Sequence, residues 1–307
     1  MNRRALFAAA IVVIFALVLA VVAVLKPPPA PPILSDRFEI VTRDLGSGLE
    51  SVVVSNLTDP REARFMPDES VVFSGTLDGR AGIWRTRGTG GPVLLWAGYT
   101  NSVDPSRDGS RVAFMKGGGI GILNVTTGAV DVIPNERLAP ADYALFPCFD
   151  GTGRRILFAW HDPRQVTVER IDFVLVHDLM TNKTDVLLRI PGSHYDLSGL
   201  AFFPDGNHFV FALDGVFLHD IVLNLTVRLT GPANEAFPRV SALGGEIVFQ
   251  ALTQNDELGR PLYMIRLHRL NTGETVDVLP QEQYGGPHPD ISENGRTIVY
   301  TRQPRLQ

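Results

Sequence analysis

Six times between residues 67 and 300 the chain repeats one short pattern, a tight polar turn followed by an apolar triplet that ends in an aromatic. The first three units are Pro67-Asp68-Glu69-Ser70 before Val71-Val72-Phe73, Arg107-Asp108-Gly109-Ser110-Arg111 before Val112-Ala113-Phe114, and Gly151-Thr152-Gly153-Arg154-Arg155 before Ile156-Leu157-Phe158. The others are Pro204-Asp205-Gly206-Asn207-His208 before Phe209-Val210-Phe211, Gly244-Gly245-Glu246 before Ile247-Val248-Phe249, and Glu293-Asn294-Gly295-Arg296-Thr297 before Ile298-Val299-Tyr300. Asp-Gly, Asn-Gly and Gly-Gly supply the positive φ that tight hairpin turns require. A triplet with no polar alternation reads as a strand buried on both faces. Successive aromatics lie 41, 44, 53, 38 and 51 residues apart, the range of a four-stranded propeller blade with variable loops.

Each unit but the last is followed by a second hairpin with its own polar turn, as in residues 120–133, 173–188, 216–229 and 262–279, and less regularly in 83–96. A blade is therefore two hairpins, an inner pair and an outer pair. The sixth inner pair has no outer pair after it, whereas residues 38–54 form an outer pair with no inner half before it. The two fragments complete one another. The spacing predicts an all-β, six-bladed propeller over residues 38–307, closed by pairing of its first and last segments, which removes free sheet edges. A solenoid would need shorter and more uniform repeats, and a sandwich would not repeat its turn chemistry six times.

These units resemble the repeats of TolB-like propellers, whose blades carry a Ser-Pro-Asp-Gly turn before a strand ending in Phe or Tyr. Residues 202–211 (FFPDGNHFVF) and 105–114 (PSRDGSRVAF) match best, 290–300 match well, and 242–249 and 149–158 are degraded. The resemblance covers residues 38–307 and speaks for the fold, because the motif marks the turn and core of a blade rather than a site. It implies that the propeller engages another envelope protein.

Ahead of the repeats, Ala5 to Leu25 is an unbroken run of 21 apolar residues. As a helix it would span about 31 Å, the hydrocarbon thickness of a bilayer. Arg3 and Arg4 precede it, so residues 1–4 are expected to stay in the cytoplasm and the body to be exported. The run is long for the core of a cleaved signal peptide, which favours a signal anchor. Residues 26–37 form a Pro-rich linker, of which residues 27–33 (PPPAPPI) can enter neither helix nor central strand. The expected location is therefore the cytoplasmic membrane, crossed once, with the propeller on the periplasmic side.

The first 26 residues hold three of the 28 basic groups and none of the 33 acidic ones, leaving the remainder at a formal charge of −8. Such a body offers no footprint for phosphate backbones, and nucleic-acid binding is not expected. The single cysteine, Cys148, excludes an internal disulfide and reads as a buried core residue. No GxSxG, HExxH or P-loop pattern is present, and a peptidase of the propeller type would need an attached hydrolase domain. Asn56, Asn124, Asn182 and Asn224 stand in Asn-x-Ser/Thr triplets, the last three at or beside outer-pair turns, where turn chemistry alone accounts for them.

His177, His219 and His268 occupy one repeated position in outer-pair strands, one per blade, and are expected to be structural or to lie at the surface. His288 differs, since Gly285-Gly286-Pro287-His288-Pro289-Asp290 leads into the innermost strand of the sixth blade, toward the channel mouth. Pectin-degrading lyases with related propellers use a His-containing cluster and a divalent cation at such a mouth, which makes Asp290, Arg239, Asp104, His194 and Asp196 its candidate neighbours. Corresponding positions hold Ser102, Phe146, Gly199 and Phe237, which supply no ligands, so neither metal nor cofactor is expected. Two functions follow: a non-enzymatic, membrane-anchored protein-binding scaffold, or a carbohydrate-active lyase or hydrolase using His288, Asp290 and Arg239.

Overall fold

The computed structural model describes residues 32–88, 90–133, 143–161, 171–191, 197–231, 234–279 and 283–306. Residues 1–31, which include the expected membrane helix, and residues His194 and Asp196 lie outside them. Among the described residues no helix is long and apolar enough to cross a membrane.

Six four-stranded antiparallel sheets are arranged as the repeats predict. From the axis outward, the first blade is Ala63–Phe65, Val71–Leu77, Arg80–Thr86 and Val93–Ala97, and the second is Val103–Pro105, Arg111–Lys116, Gly119–Asn124 and Val130–Val132. The third is Tyr143–Phe149, Arg155–His161, Ile171–Asp178 and Lys183–Pro191, and the fourth is Leu200–Phe202, His208–Ala212, Val216–Asp220 and Leu225–Arg228. The fifth is Glu235–Val240, Glu246–Asn255, Pro261–Arg269 and Glu274–Asp277, with Gln283–Tyr284 paired onto its third strand. Asp256 and Glu257 sit where that blade's second and third strands overshoot the sheet, and Asp256 closes the turn by accepting from the Leu258 and Arg260 amides.

The sixth blade joins the two ends of the repeat region. Asp290–Ile291 and Thr297–Arg302 are followed in space by Phe38–Asp44 and Glu50–Leu57. Ile40 lies opposite Thr301 and Val41 opposite Tyr300. Charges lock the seam. Arg302 reaches Glu39 at 2.7 Å and Glu50 at 2.9 Å, and the Tyr300 hydroxyl donates to Glu50 at 2.9 Å.

The apolar triplets explain why the ring holds. Alternate side chains of a strand point to opposite sheet faces, so each triplet feeds two blade interfaces. Val71 and Phe73 pack against the sixth blade while Val72 packs against the second. Six apolar clusters result, one per interface. All six aromatics that close the triplets are at most 2% exposed. Truncating such a residue to alanine costs about 3–5 kcal/mol.

His177, His219 and His268 are buried, each with Nδ1 against the hydroxyl of the threonine directly across its hairpin: Thr184, Thr226 and Thr275. Burial lowers the pKa of all three, which keeps them neutral and structural. Cys148 is buried, and burial pushes its thiol pKa up, away from reactivity.

The inner-pair and outer-pair turns of each blade share one edge of its sheet. Backbone bonds join them, as from Leu45 to Arg296, Leu179 to Arg154, Ile221 to Asn207 and Leu270 to Gly245. The strand that begins at Phe38 runs toward this face, so the chain enters the ring from the other one.

Candidate functional site

The innermost strands carry two rings of residues stacked along the axis. Twelve positions before the closing aromatic stand Ser102, Phe146, Gly199, Phe237 and His288; in the first blade the same place, Glu62, lies eleven before Phe73 because that turn is one residue shorter. Two residues on, nearer the turns, stand Arg64, Asp104, Cys148, Ala201, Arg239 and Asp290. Sequence reasoning found Asp104, Arg239, His288 and Asp290 but passed over Glu62 and Arg64. Counting back from the apolar triplet with allowance for the shorter turn would have found both.

The first ring is strained. Phe146, Phe237 and His288 have φ of 54°, 54° and 42°, in the left-handed region that bulky side chains seldom occupy. The ladders around Phe146 and Phe237 skip at this point, a bulge that re-aims a side chain out of the alternating pattern. The result is a contact across the axis: Phe146 meets Phe237 edge-on at 5.8 Å between centroids, and Phe237 meets His288 at 4.0 Å. The Nδ1 of His288 lies against the Arg61 carbonyl, and its own amide donates to Gln250. Burial lowers the His288 pKa, so the ring is neutral. At Gly199 any β-carbon would come within 2.8 Å of the Phe237 backbone.

The second ring, joined by Glu62 from the first, is charged and latches neighbouring blades. Acids reach forward: Glu62 accepts from the Val103 amide at 3.1 Å, Asp104 from the Phe149 amide at 2.9 Å, and Asp290 from the Phe65 amide at 2.8 Å. Arginines reach back: Arg239 donates to the Leu200 carbonyl at 2.8 Å and Arg64 to the His288 carbonyl at 3.5 Å. Glu62 pairs with Arg64 at 3.0 Å and lies 3.7 Å from Arg239, which is 3.5 Å from Asp104. One oxygen of Glu62 and the Nε atoms of Arg64 and Arg239 are buried with no hydrogen-bond partner among the described residues.

Burial opposes ionisation of all three acids, with different outcomes. At Glu62 the two guanidiniums outweigh it and the pKa falls. At Asp104 burial prevails over Arg239 and the Phe149 amide, and the pKa rises to about 6. Asp290 also rises, burial prevailing over Arg64 and Arg239.

Above this ring opens a funnel of about 180 Å³ on the axis, with Arg64, Asp104 and Asp290 at its floor. Its walls come from every blade, with Phe65, Phe149, Phe202, Phe203 and Pro204 among them. Below lies the Phe146–Phe237–His288 contact. Of the residues expected at the mouth, Asp290, Arg239 and Asp104 thus share one charged ring, His288 packs into the aromatic contact beneath it, and His194 is outside the described residues. Among the described residues no group of three His, Cys, Asp or Glu side chains is set to hold a metal.

No family model and no curated protein matches the chain. Solved structures do. A TolB-type protein of Agrobacterium tumefaciens superposes with a TM-score of 0.69 at 18% identity, covering 89% of this chain and 100% of that one. TolB of Acinetobacter baumannii gives 0.55 at 17%, covering 90% of this chain and 66% of that one. An oligogalacturonate lyase of Vibrio parahaemolyticus gives 0.54 at 11%, covering 89% and 98%. At these identities the likeness is one of fold, and the fold is the TolB-like propeller.

Proposed function

We propose that the chain is a protein-binding scaffold of the cell envelope, held to the cytoplasmic membrane by residues 5–25 and engaging its partner through the funnel face without catalysis. One observation carries the reading. Leu49, Met180, Val222, Leu223 and Leu243 are 70–84% exposed, and all five lie in turns on the edge of the sheets where the funnel opens. Soluble monomers seldom concentrate large apolar side chains on one face unless something covers them.

The carbohydrate-active alternative draws on the same residues but asks more of them. His288 would have to leave Phe237 and the Arg61 carbonyl before acting with Asp290 and Arg239.

The test is affinity capture from solubilised envelope with the full chain and with Leu223→Asp/Leu243→Asp as the control. A protein recovered by the first and lost by the second supports the scaffold. Equal recovery by both, or recovery of nothing above a chain lacking the propeller, refutes it.

A further inference from the structure

The charged ring is unbalanced. Glu62, Asp104 and Asp290 supply three acids, and only Arg64 and Arg239 oppose them in the buried network. Ionised together they leave one negative charge without a counter-charge in a place shielded from water, where an unpaired charge is costly. Accessibility divides the groups by sign. The side chains of Arg64 and Arg239 are only 2% and 6% exposed, whereas Asp104 is 15% exposed and Asp290 half-buried. Within the charged ring the two aspartates are therefore the more accessible members. One Asp104 oxygen is held by the Phe149 amide and the other lies 3.5 Å from Arg239, while one Asp290 oxygen is held by the Phe65 amide. Beneath them Glu62, its side chain 1% exposed, has an oxygen with no hydrogen bond.

We infer that the funnel receives a single cationic side chain of the partner protein, its ammonium or guanidinium tip seated between Asp104 and Asp290, a step that rests on the scaffold reading. One such group brings the buried charges to three of each sign. A funnel of about 180 Å³ admits a side-chain tip but no folded element, and its aromatic walls suit the aliphatic stem of lysine or arginine. Aspartates from the second and sixth blades, on either side of the first, grip the tip from two sides.

Calorimetric titration of the full chain in detergent tests this with four probes: N-acetyl-lysine methylamide, N-acetyl-arginine methylamide, the neutral N-acetyl-norleucine methylamide, and calcium chloride alone. Saturable one-to-one binding is expected for at least one cationic probe and not for norleucine. Asp104→Asn and Asp290→Asn, which retain an acceptor for the neighbouring amide, are expected to weaken it about tenfold each. Asp256→Asn, in the overshooting hairpin, leaves it unchanged. The inference is overturned if norleucine binds as well as lysine, if neither cationic probe saturates below about 10 mM, or if calcium binds while the organic cations do not. A partner captured equally by wild-type and Asp290→Asn chains also overturns it and leaves the scaffold intact. Probe binding with no partner captured overturns the scaffold and leaves the cation site standing.

Discussion

Replacing Asp104 with asparagine should make the protein more stable, and only above mildly acidic pH. The aspartate titrates near 3.8 in an unfolded chain and near 6 in the fold, because burial outweighs Arg239 and the Phe149 amide. A folded pKa above the unfolded one means proton uptake on folding. The stabilisation is complete below pH 3.8 and is lost as pH rises through about 6. Holding the ionised carboxylate in the fold rather than in water then costs about 3 kcal/mol at pH 8. Asparagine cannot ionise, yet its carbonyl can still accept the Phe149 amide. Thermal unfolding of wild type and Asp104→Asn between pH 4 and pH 8 reads the difference. The two melting temperatures should coincide near pH 4, and the variant should melt about 5–10 °C higher at pH 8. A pH-independent gap, or a variant less stable at pH 8, would refute the assignment of Asp104 as a burdened carboxylate.

The remaining substitutions probe the same ring and the seam. Glu62→Gln leaves Arg64 and Arg239 facing each other without their shared anion and should cost about 3–5 kcal/mol by denaturant unfolding at neutral pH. The Glu62 pKa is lowered in the fold, so its contribution is present above 4.5 and the deficit of the variant should shrink as pH falls below that value. Gly199→Ala drives a methyl into the Phe237 backbone from a φ of 132° and should cost about 2–3 kcal/mol, with greater hydrogen exchange in the fourth and fifth blades. Arg302→Ala removes partly exposed pairs with Glu39 and Glu50 and should cost only about 1 kcal/mol, seen as a small fall in urea midpoint.

The architecture was legible because its signal is periodic. Each triplet must serve two interfaces, so its apolar character recurs wherever the turn does, and the half-blade that ends near residue 300 has its complement at residue 38. The axial ring was only half legible. Asp104, Arg239 and Asp290 stand ten residues before their aromatics and His288 twelve, but Glu62 and Arg64 are displaced by the shortened turn, where Glu69 takes a φ of 63°. The bulges that re-aim Phe146 and Phe237 leave no mark in composition, since the contacts they make with each other and with His288 join chain segments about 50–90 residues apart. Charge pairing between blades is invisible to a linear reading for the same reason.

Building one blade from both ends of the repeat region also sets when folding can finish. A growing chain can make five complete sheets and still present Phe38–Asp44 with an unpaired edge, because its partner strand Thr297–Arg302 comes after all five. Ring closure is thus deferred until that strand is synthesised, which keeps the polypeptide open and threadable until then. Products stalled earlier carry an exposed backbone ribbon, an open edge on which another chain can pair.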